Sequence, residues 1–217
     1  MFQSAYRIGH STETALTCID NDILLAIDDN SCIILMLLDL STALDAVDHD
    51  ILLRLEHRFR ITGKALSWLT SYLTDRTQFV KVANEHSTSR KLLCNVPQGL
   101  VLGPIVYSMY TAPLADIMRQ HGLNFHFYAD DTQLYLLFNP EATGEPMRSL
   151  SRVQSCISDI TNWMTSNKLM LINSDKTELL VLNACHRPHS PLESITVGRD
   201  VIHASHAAKN IYRGLVR

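Results

Sequence analysis

The sequence lacks an excess of positive charge. Its 217 residues include 19 Lys and Arg against 22 Asp and Glu, which gives a net charge of −3. Proteins that neutralise nucleic-acid phosphates do so with Lys and Arg, so the overall composition does not indicate a polyanionic partner. A local basic group exists at Arg54, Arg58, Arg60 and Lys64. A solvated helix face explains that group at least as well.

Long apolar runs and a secretory leader are lacking too. The continuous apolar run at residues 32–38 is far shorter than the about 20 residues that span a bilayer. The start, Met1-Phe2-Gln3-Ser4, shows no basic-then-apolar leader. We therefore expect no membrane partner and an intracellular location, nuclear or cytoplasmic.

Cysteine is sparse and unpatterned. The five cysteines stand at positions 18, 32, 94, 156 and 185, mostly in apolar surroundings. An odd, scattered set predicts reduced, packed thiols in a reducing compartment and no disulfide framework. Cys185 is followed by histidines at 186, 189, 203 and 206, but no second Cys stands at ligand spacing. A zinc site is therefore disfavoured.

The most informative stretch that is present is Phe127-Tyr128-Ala129-Asp130-Asp131-Thr132. Apolar runs at 123–127 and 134–138 flank it, which predicts strand, tight turn and strand with the carboxylates at the tip. Two bare carboxylates about 4 Å apart repel by about 1 kcal/mol in water and about 4 kcal/mol near a protein surface. Hard divalent cations relieve that repulsion by binding carboxylate oxygens. A solvated Asp-Asp turn is the alternative.

A third carboxylate ends another predicted strand. The apolar run at 32–38 is typical of a strand that is buried on both faces, and it ends at Asp39. Three carboxylates on two adjacent strands can hold two Mg²⁺ ions about 3.5–4 Å apart, the geometry of in-line nucleotidyl transfer. A helix N-cap is the alternative role for Asp39.

Motifs in a fixed order carry a family resemblance. They include Leu38-Asp39-Leu40-Ser41, Val96-Pro97-Gln98-Gly99, Tyr128-Ala129-Asp130-Asp131 and Asn173-Ser174-Asp175-Lys176. Together they resemble the palm of reverse transcriptases, and most closely that of non-LTR, LINE-type retrotransposons. The likeness runs from about Gln3 to Asn210.

The resemblance implies an α+β fold, a polymerase palm with a ferredoxin-like split βαβ core. Residues 1–38 are expected to be partial fingers and the entry to the palm. Residues 39–210 are expected to form the palm core, with a finger-side insert at about 60–95, and residues 211–217 a divergent tail. A thumb is expected to be absent.

The implied activity is RNA-directed DNA polymerisation, with two Mg²⁺ ions (or Mn²⁺) as cofactors. The implied partners are an RNA template, a DNA primer and deoxynucleoside triphosphates. Asp39, Asp130 and Asp131 would be the catalytic metal ligands. Lys176 stands where the family carries a lysine proposed to protonate pyrophosphate; a surface lysine is the alternative.

Substrate contacts are implied at four further positions. Gln98 and Gly99 match the loop beside the template and incoming base, and Tyr128 would pack near the primer end. Leu44 replaces the family's aromatic residue that blocks a ribose 2′-hydroxyl. This departure from the family pattern, together with the expected absence of a thumb, leads us to expect a truncated, weakly active or inactive copy. The alternative is a non-catalytic retrotransposon remnant that acts, if at all, as a nucleic-acid or protein binding module.

Periodicity predicts the remaining elements. One helix is expected after a cap at Ser11 or Thr12, and another after a cap at Asp48 or Asp50. Further helices are expected around 66–73, after Gly103-Pro104, and through 150–164. Pro113 is expected to bend or end its helix. Strands are expected at 78–83, 91–94 and 178–182, and a loop at 139–146.

Overall fold

The computed structural model describes residues 4–5, 7–39, 47–49, 51–96, 102–169, 176–182, 194–197 and 200–205, with the backbone only for Asp39, Leu53 and Ser205. The chain divides into two compact units. The first, unit 1, comprises residues 1–41, 112–166 and 170–217; the second, unit 2, comprises residues 42–111 and 167–169. No helix in the described ranges is both long and apolar enough to cross a membrane.

The described helices and strands follow one another in a mixed α and β order. They are α1 (Thr12–Asp28), β1 (Cys32–Asp39), α2 (Ile51–Phe59), α3 (Gly63–Leu73), β2 (Thr77–Gln78), β3 (Lys81–Val82), β4 (Glu85–His86), β5 (Arg90–Lys91), α4 (Leu102–Gln120), β6 (Asn124–Tyr128), β7 (Asp131–Phe138), α5 (Glu145–Ser166), β8 (Glu178–Leu182), β9 (Ser194–Val197) and β10 (Asp200–Ser205).

Unit 1 contains a six-stranded mixed sheet in the order β6-β7-β1-β8-β10-β9. Strand β1 pairs antiparallel with β7 on one side and with β8 on the other. The β8–β10 pairing is parallel. Residues 33–36 of β1 are at most 1% exposed. The apolar run therefore forms the central strand that the sequence predicts, and its burial fixes the register of its neighbours.

Helix α1 packs on one face of this sheet. Its buried Ile19 and Ile23 lie in one cluster with Ile33, Leu35 and Leu180 from the sheet. The helix begins where the sequence predicts, because the Ser11 side chain accepts from the Thr14 backbone N–H and the Thr14 side chain accepts in return from Ser11 N–H. Tyr135, on β7, donates a hydrogen bond to the carboxylate of Asp22, on α1.

Helix α5 is also held to the sheet. Residues at spacings of three and four, Val153, Ile157, Ile160 and Met164, are buried, as its amphipathic pattern predicts. The side-chain amide of Gln154 adds two hydrogen bonds to strand β9. Its Nε2 donates to the Thr196 carbonyl oxygen, and its Oε1 accepts from Thr196 N–H at 2.9 Å.

Unit 2 has its own polar framework around Tyr110. The Arg54 guanidinium lies 4.7 Å from the centroid of the Tyr110 ring, and the Tyr110 hydroxyl donates to the Asn167 carbonyl oxygen at 2.7 Å. The next residue, Lys168, forms an ion pair with Asp48. Arg54 is thus engaged with an aromatic ring and is not part of the purely solvated helix face that the sequence suggested.

Several predicted elements need correction. The strand expected at 78–83 is two pieces, β2 and β3, and the strand expected at 91–94 is only Arg90–Lys91. Strands β4, β9 and β10 were missed. Helix α4 does not end at Pro113 but continues to Gln120; Leu114 and Met118 beyond the proline are fully buried, and burial outweighs the local cost. Helix α5 begins at Glu145, inside the expected loop.

The expectation of packed cysteines holds for only half of the described set. Cys32 and Cys156 are buried, whereas Cys18 and Cys94 are exposed. Burial, with a smaller contribution from the charge of Asp159, raises the pKa of the Cys156 thiol to about 12. That thiol therefore behaves as a packed, unreactive group.

Candidate active site

The two predicted carboxylate-bearing strands lie side by side. Asp39 is the last residue of β1, Asp131 is the first residue of β7, and the two are Cα partners in the antiparallel ladder. Directly opposite residues in such a ladder have Cα atoms about 4.5–5.5 Å apart. Positions far apart in sequence are thus brought together at one end of the sheet. The side chain of Asp39 lies outside the described part of the structure.

Strands β6 and β7 form the predicted hairpin. Tyr128 pairs with Asp131 across a two-residue loop, Ala129-Asp130. Ala129 has a φ of 57°; a positive φ at the first loop position belongs to the hairpin turns whose twist matches that of the strands. In a non-glycine residue such a conformation costs about 1–3 kcal/mol, and it recurs at active sites and ligand clamps. The loop holds Asp130 at the tip, where both aspartates are exposed.

Tyr128 and Lys176 are found at the same end of the sheet. Tyr128 is the last residue of β6 and is half-buried. Strand β8 begins at Glu178, which is the partner of Leu37 on β1. The exposed Lys176 precedes Glu178 by two residues, and β8 runs antiparallel to β1, so Lys176 lies near the end of β1 where Asp39 stands.

The sequence did not predict a row of polar side chains that lies next to the carboxylates. Gln133 is only 2% exposed, and neither its Oε1 nor its Nε2 has a hydrogen-bond partner in the described chain. Its backbone partners are His126 on β6 and Leu37 on β1, and Leu37 is in turn the partner of Glu178 on β8. His126 Nε2 and Glu178 Oε2 are also buried without a described partner.

This row borders the row of the carboxylates. Gln133 follows Asp131 by two residues in one strand, so both side chains project from the same sheet face. Each buried polar group without a partner costs about 1–3 kcal/mol. Burial, and to a lesser degree the positive charge of His10, lowers the pKa of His126. The available signal was Thr132-Gln133, two polar residues inside an otherwise apolar strand.

The donor chemistry of this end of the sheet suits Mg²⁺. Asp130 and Asp131 are exposed carboxylates on the β6–β7 hairpin, and Asp39 is at the backbone position paired with Asp131. Carboxylate oxygens are the ligands that hard cations take. Among described residues, no three His, Cys, Asp or Glu side chains form a ready metal-binding group. The Asp39 carboxylate is not among these side chains, because only the backbone of Asp39 is described.

The remaining predicted site residues are not described. Leu44, Gln98 and Gly99 lie outside the described residues, as do Cys185 and three of the histidines near it. The fourth histidine, His203, is exposed on β10.

Comparisons with known proteins agree with the motifs. The profile of the family described as "Reverse transcriptase (RNA-dependent DNA polymerase)" matches residues 1–206. A curated relative, "Probable RNA-directed DNA polymerase from transposon BS" of Drosophila melanogaster, is 31% identical over 188 residues, which is 84% of this chain and 20% of the relative. This chain thus spans about a fifth of that protein.

Solved structures show a similar fold. Apo telomerase from Candida tropicalis, truncated from its C-terminal domain, has a TM-score of 0.61 at 14% identity, over 92% of this chain and 41% of that one. Telomerase from Candida albicans, in complex with the TWJ fragment of telomeric RNA, has a TM-score of 0.60 at 17% identity, over 87% of this chain and 32% of that one. The resemblance stated from the motifs is confirmed, and the α+β chain belongs to the reverse transcriptase family of RNA-dependent DNA polymerases.

Proposed function

We propose that this chain is the palm core of a polymerase that makes DNA on an RNA template by Mg²⁺-dependent nucleotidyl transfer. The observation that carries the proposal is the register of Asp39 with Asp131, beside a hairpin that presents Asp130 at its tip. The chain order β1, β6, β7, β8 with the sheet order β6-β7-β1-β8 supports a split βαβ, ferredoxin-like palm.

The wider domain organisation follows from the resemblance. We propose partial fingers and the palm entry at 1–38, a palm core at 39–210 with its finger-side insert at about 60–95, and a divergent tail at 211–217. The proposed substrates are an RNA template, a DNA primer and deoxynucleoside triphosphates. The proposed cofactor is a pair of Mg²⁺ ions, with Mn²⁺ as a substitute.

In the proposed mechanism the three carboxylates act together. Asp39 and Asp130 hold the metal ions, and Asp131 completes or supports the site. Bound metal supplies Lewis-acid activation of the primer 3′-hydroxyl and neutralises the triphosphate. The β6–β7 pairing fixes the backbone positions of the Asp130 turn and of Asp131, and such fixed positions contribute to catalysis because they need not be established when the substrate binds.

Other residues of the chain would serve the substrates. Lys176, exposed at the same end of the sheet as Asp39, donates a proton to the departing pyrophosphate. Tyr128 packs near the primer end, half-buried beside Asp131. Gln98 and Gly99 contact the template and the incoming base. Leu44 would replace the family's aromatic residue, whose ring blocks a ribose 2′-hydroxyl.

Metal titration tests the site without requiring turnover. Mn²⁺ binding is measured by calorimetry on the wild-type chain and on Asp39→Asn, Asp130→Asn and a control, Asp75→Asn, whose carboxylate is 85% exposed in unit 2. We expect the two site variants to bind at least about tenfold more weakly, because each loses one charged ligand. The control should bind like the wild type. Equal binding by all four proteins would remove the metal site.

Extension of an oligo-dT primer on poly-rA tests the activity. Asp131→Asn is the inactive control, and Asp75→Asn the matched active one. We expect weak extension, because the chain spans 20% of its curated relative and phosphoryl transfer depends on positioning by many parts. Metal binding without any extension would favour the alternative, a non-catalytic remnant that binds nucleic acid or protein.

A further inference from the structure

Residues 76–92 of unit 2 form one continuous β-hairpin, called here the exposed hairpin. Strand β2 pairs with β5, and β3 pairs with β4. A backbone hydrogen bond from Leu92 N–H to the Arg76 carbonyl, at 2.8 Å, extends the β2–β5 ladder at its outer end. Another, from Ser87 N–H to the Val80 carbonyl at 2.9 Å, extends the β3–β4 ladder towards the first. Every residue from Thr77 to Lys91 is exposed. A two-stranded hairpin is only marginally stable in water by itself, and the described residues bury none of this one.

The exposed hairpin presents aromatic rings to solvent. Phe79 is 56% exposed, and its ring centroid lies 5.1 Å from that of His86. The register places Lys81 opposite His86. Lys81 is thus the cross-strand neighbour of His86, and Phe79, Lys81 and His86 are all exposed.

The charge of the exposed hairpin has the opposite sign to that of the chain. Between Thr77 and Lys91 the cations are Lys81, Arg90 and Lys91, against the single anion Glu85, whereas the chain carries −3. Lys91 pairs at 3.1 Å with Asp75, and both side chains are mostly exposed. Exposed ion pairs contribute little stability, so Lys91 can exchange this partner for a phosphate.

We infer that the exposed hairpin binds single-stranded nucleic acid, with Phe79 and His86 stacking on bases and Lys81 and Arg90 contacting phosphates. Basic tracks interleaved with aromatic rings are how proteins bind single strands without base-specific contacts. Duplexes hide the base faces that the rings would use. Lysine is depleted in the cores of protein–protein interfaces, which disfavours a protein partner. The inference rests on the proposed function, since an RNA template is such a strand.

Fluorescence anisotropy of a labelled single-stranded oligouridine, titrated with the whole chain at several salt concentrations, tests the inference. The variants are Phe79→Ala and the double change Lys81→Gln with Arg90→Gln. Matched controls are Trp68→Ala, which removes another exposed aromatic residue, and Lys64→Gln, both on α3. Circular dichroism confirms that each variant is folded.

We expect Phe79→Ala to weaken binding about 5- to 150-fold, the effect of removing one base stack. The double variant should reduce the slope of log K against log salt by about 0.7 for each phosphate that the chain no longer neutralises. Both controls should bind like the wild type. An equally long duplex should bind more weakly and should not respond to Phe79→Ala.

Two results would overturn the inference and leave the proposed function standing. One is oligouridine binding that the hairpin variants do not alter while the metal titration succeeds. The other is a change in oligomeric state in the hairpin variants, seen by analytical ultracentrifugation without loss of nucleic-acid binding, which would assign the surface to a protein partner. Failure of the chain to bind any oligonucleotide would overturn the inference as well. Whether the carboxylates bind metal is tested by the metal titration alone.

Discussion

Asp39 and Asp131 are backbone partners: the last residue of β1 lies directly opposite the first residue of β7. The pairing depends on register alone, and register here is set by apolar residues, since a slip by one residue would turn every buried side chain of β1 to the other face. The same hydrophobic burial that stabilises the sheet therefore brings two acidic positions together. In the proposed function a bound cation offsets the repulsion between the two carboxylates.

The first prediction concerns the metal response of this arrangement. Added Mg²⁺ should raise the melting temperature of the wild type more than that of Asp131→Asn, because the variant loses one charged ligand and a ligand stabilises only the state that binds it. Each 1 kcal/mol of lost stabilisation corresponds to about 2–4 °C in a domain of this size, and calorimetric melting with and without Mg²⁺ measures it. Asp75→Asn, which changes an exposed carboxylate in unit 2, should respond like the wild type. A Mg²⁺ response identical in all three proteins would contradict the prediction.

The second prediction concerns the buried amide of Gln133. Gln133→Leu should raise the free energy of unfolding by about 1–3 kcal/mol, because two unpaired polar atoms are replaced by apolar ones. It should also weaken Mn²⁺ binding, because Gln133 projects from the same sheet face as Asp131 and polar groups beside metal ligands help to orient them. Urea unfolding and calorimetric titration measure the two effects.

A matched control lies next to it in the chain. Thr132 is 1% exposed, its Oγ1 also lacks a described partner, and its side chain projects from the opposite sheet face. Thr132→Val should stabilise the protein and leave Mn²⁺ binding unchanged. If Gln133→Leu leaves metal binding unchanged too, the polar row is a structural feature alone.

Much of this architecture could be predicted from the sequence, because its strongest signals are local. The buried strand β1, the Asp130 hairpin and helix α5 have strong periodicity or turn signals, so the sequence predicts them well. The two-residue strands of the exposed hairpin bury nothing and leave no periodic pattern. The row around Gln133 depends on which positions become neighbours across strands. That information is non-local, because it arises only when β6, β7 and β1 pair.

The third prediction concerns pH. Burial lowers the pKa of His126 below its ordinary value of 6.5, so the folded protein binds this proton less tightly than the unfolded chain does. The stability that follows is complete above the unfolded pKa and is lost as the pH falls through the folded pKa. We expect the free energy of unfolding to decrease between about pH 7 and pH 5. His126→Phe should flatten that decrease, as measured by urea unfolding across the range.

The neighbours of His126 supply the controls. His10, whose positive charge also lowers the His126 pKa, should show a smaller effect when changed to Phe. His203→Phe, at an exposed position on β10, serves as the comparison for the substitution itself. A wild-type profile that is flat over this range, or a His126→Phe profile that is as steep as the wild type, would show that this imidazole does not control the acid sensitivity.

The last prediction concerns the sugar of the incoming nucleotide, at a residue outside the described ranges. In the proposed function Leu44 occupies the position of the family's aromatic residue that blocks a 2′-hydroxyl. An aromatic ring is flat, stiff and wide, whereas leucine is narrower and has more rotamers, so it can move aside for a ribose. Leu44→Phe, in a version that extends primers, should improve selection of dATP over ATP by roughly ten- to two-hundred-fold, the usual effect of one steric contact of this size. The ratio of kcat/KM for dATP and ATP measures this selection.

The control is Leu44→Met, which nearly conserves volume and should leave the ratio unchanged. If the Phe variant also leaves it unchanged, neighbouring residues already close the space and Leu44 contributes packing alone.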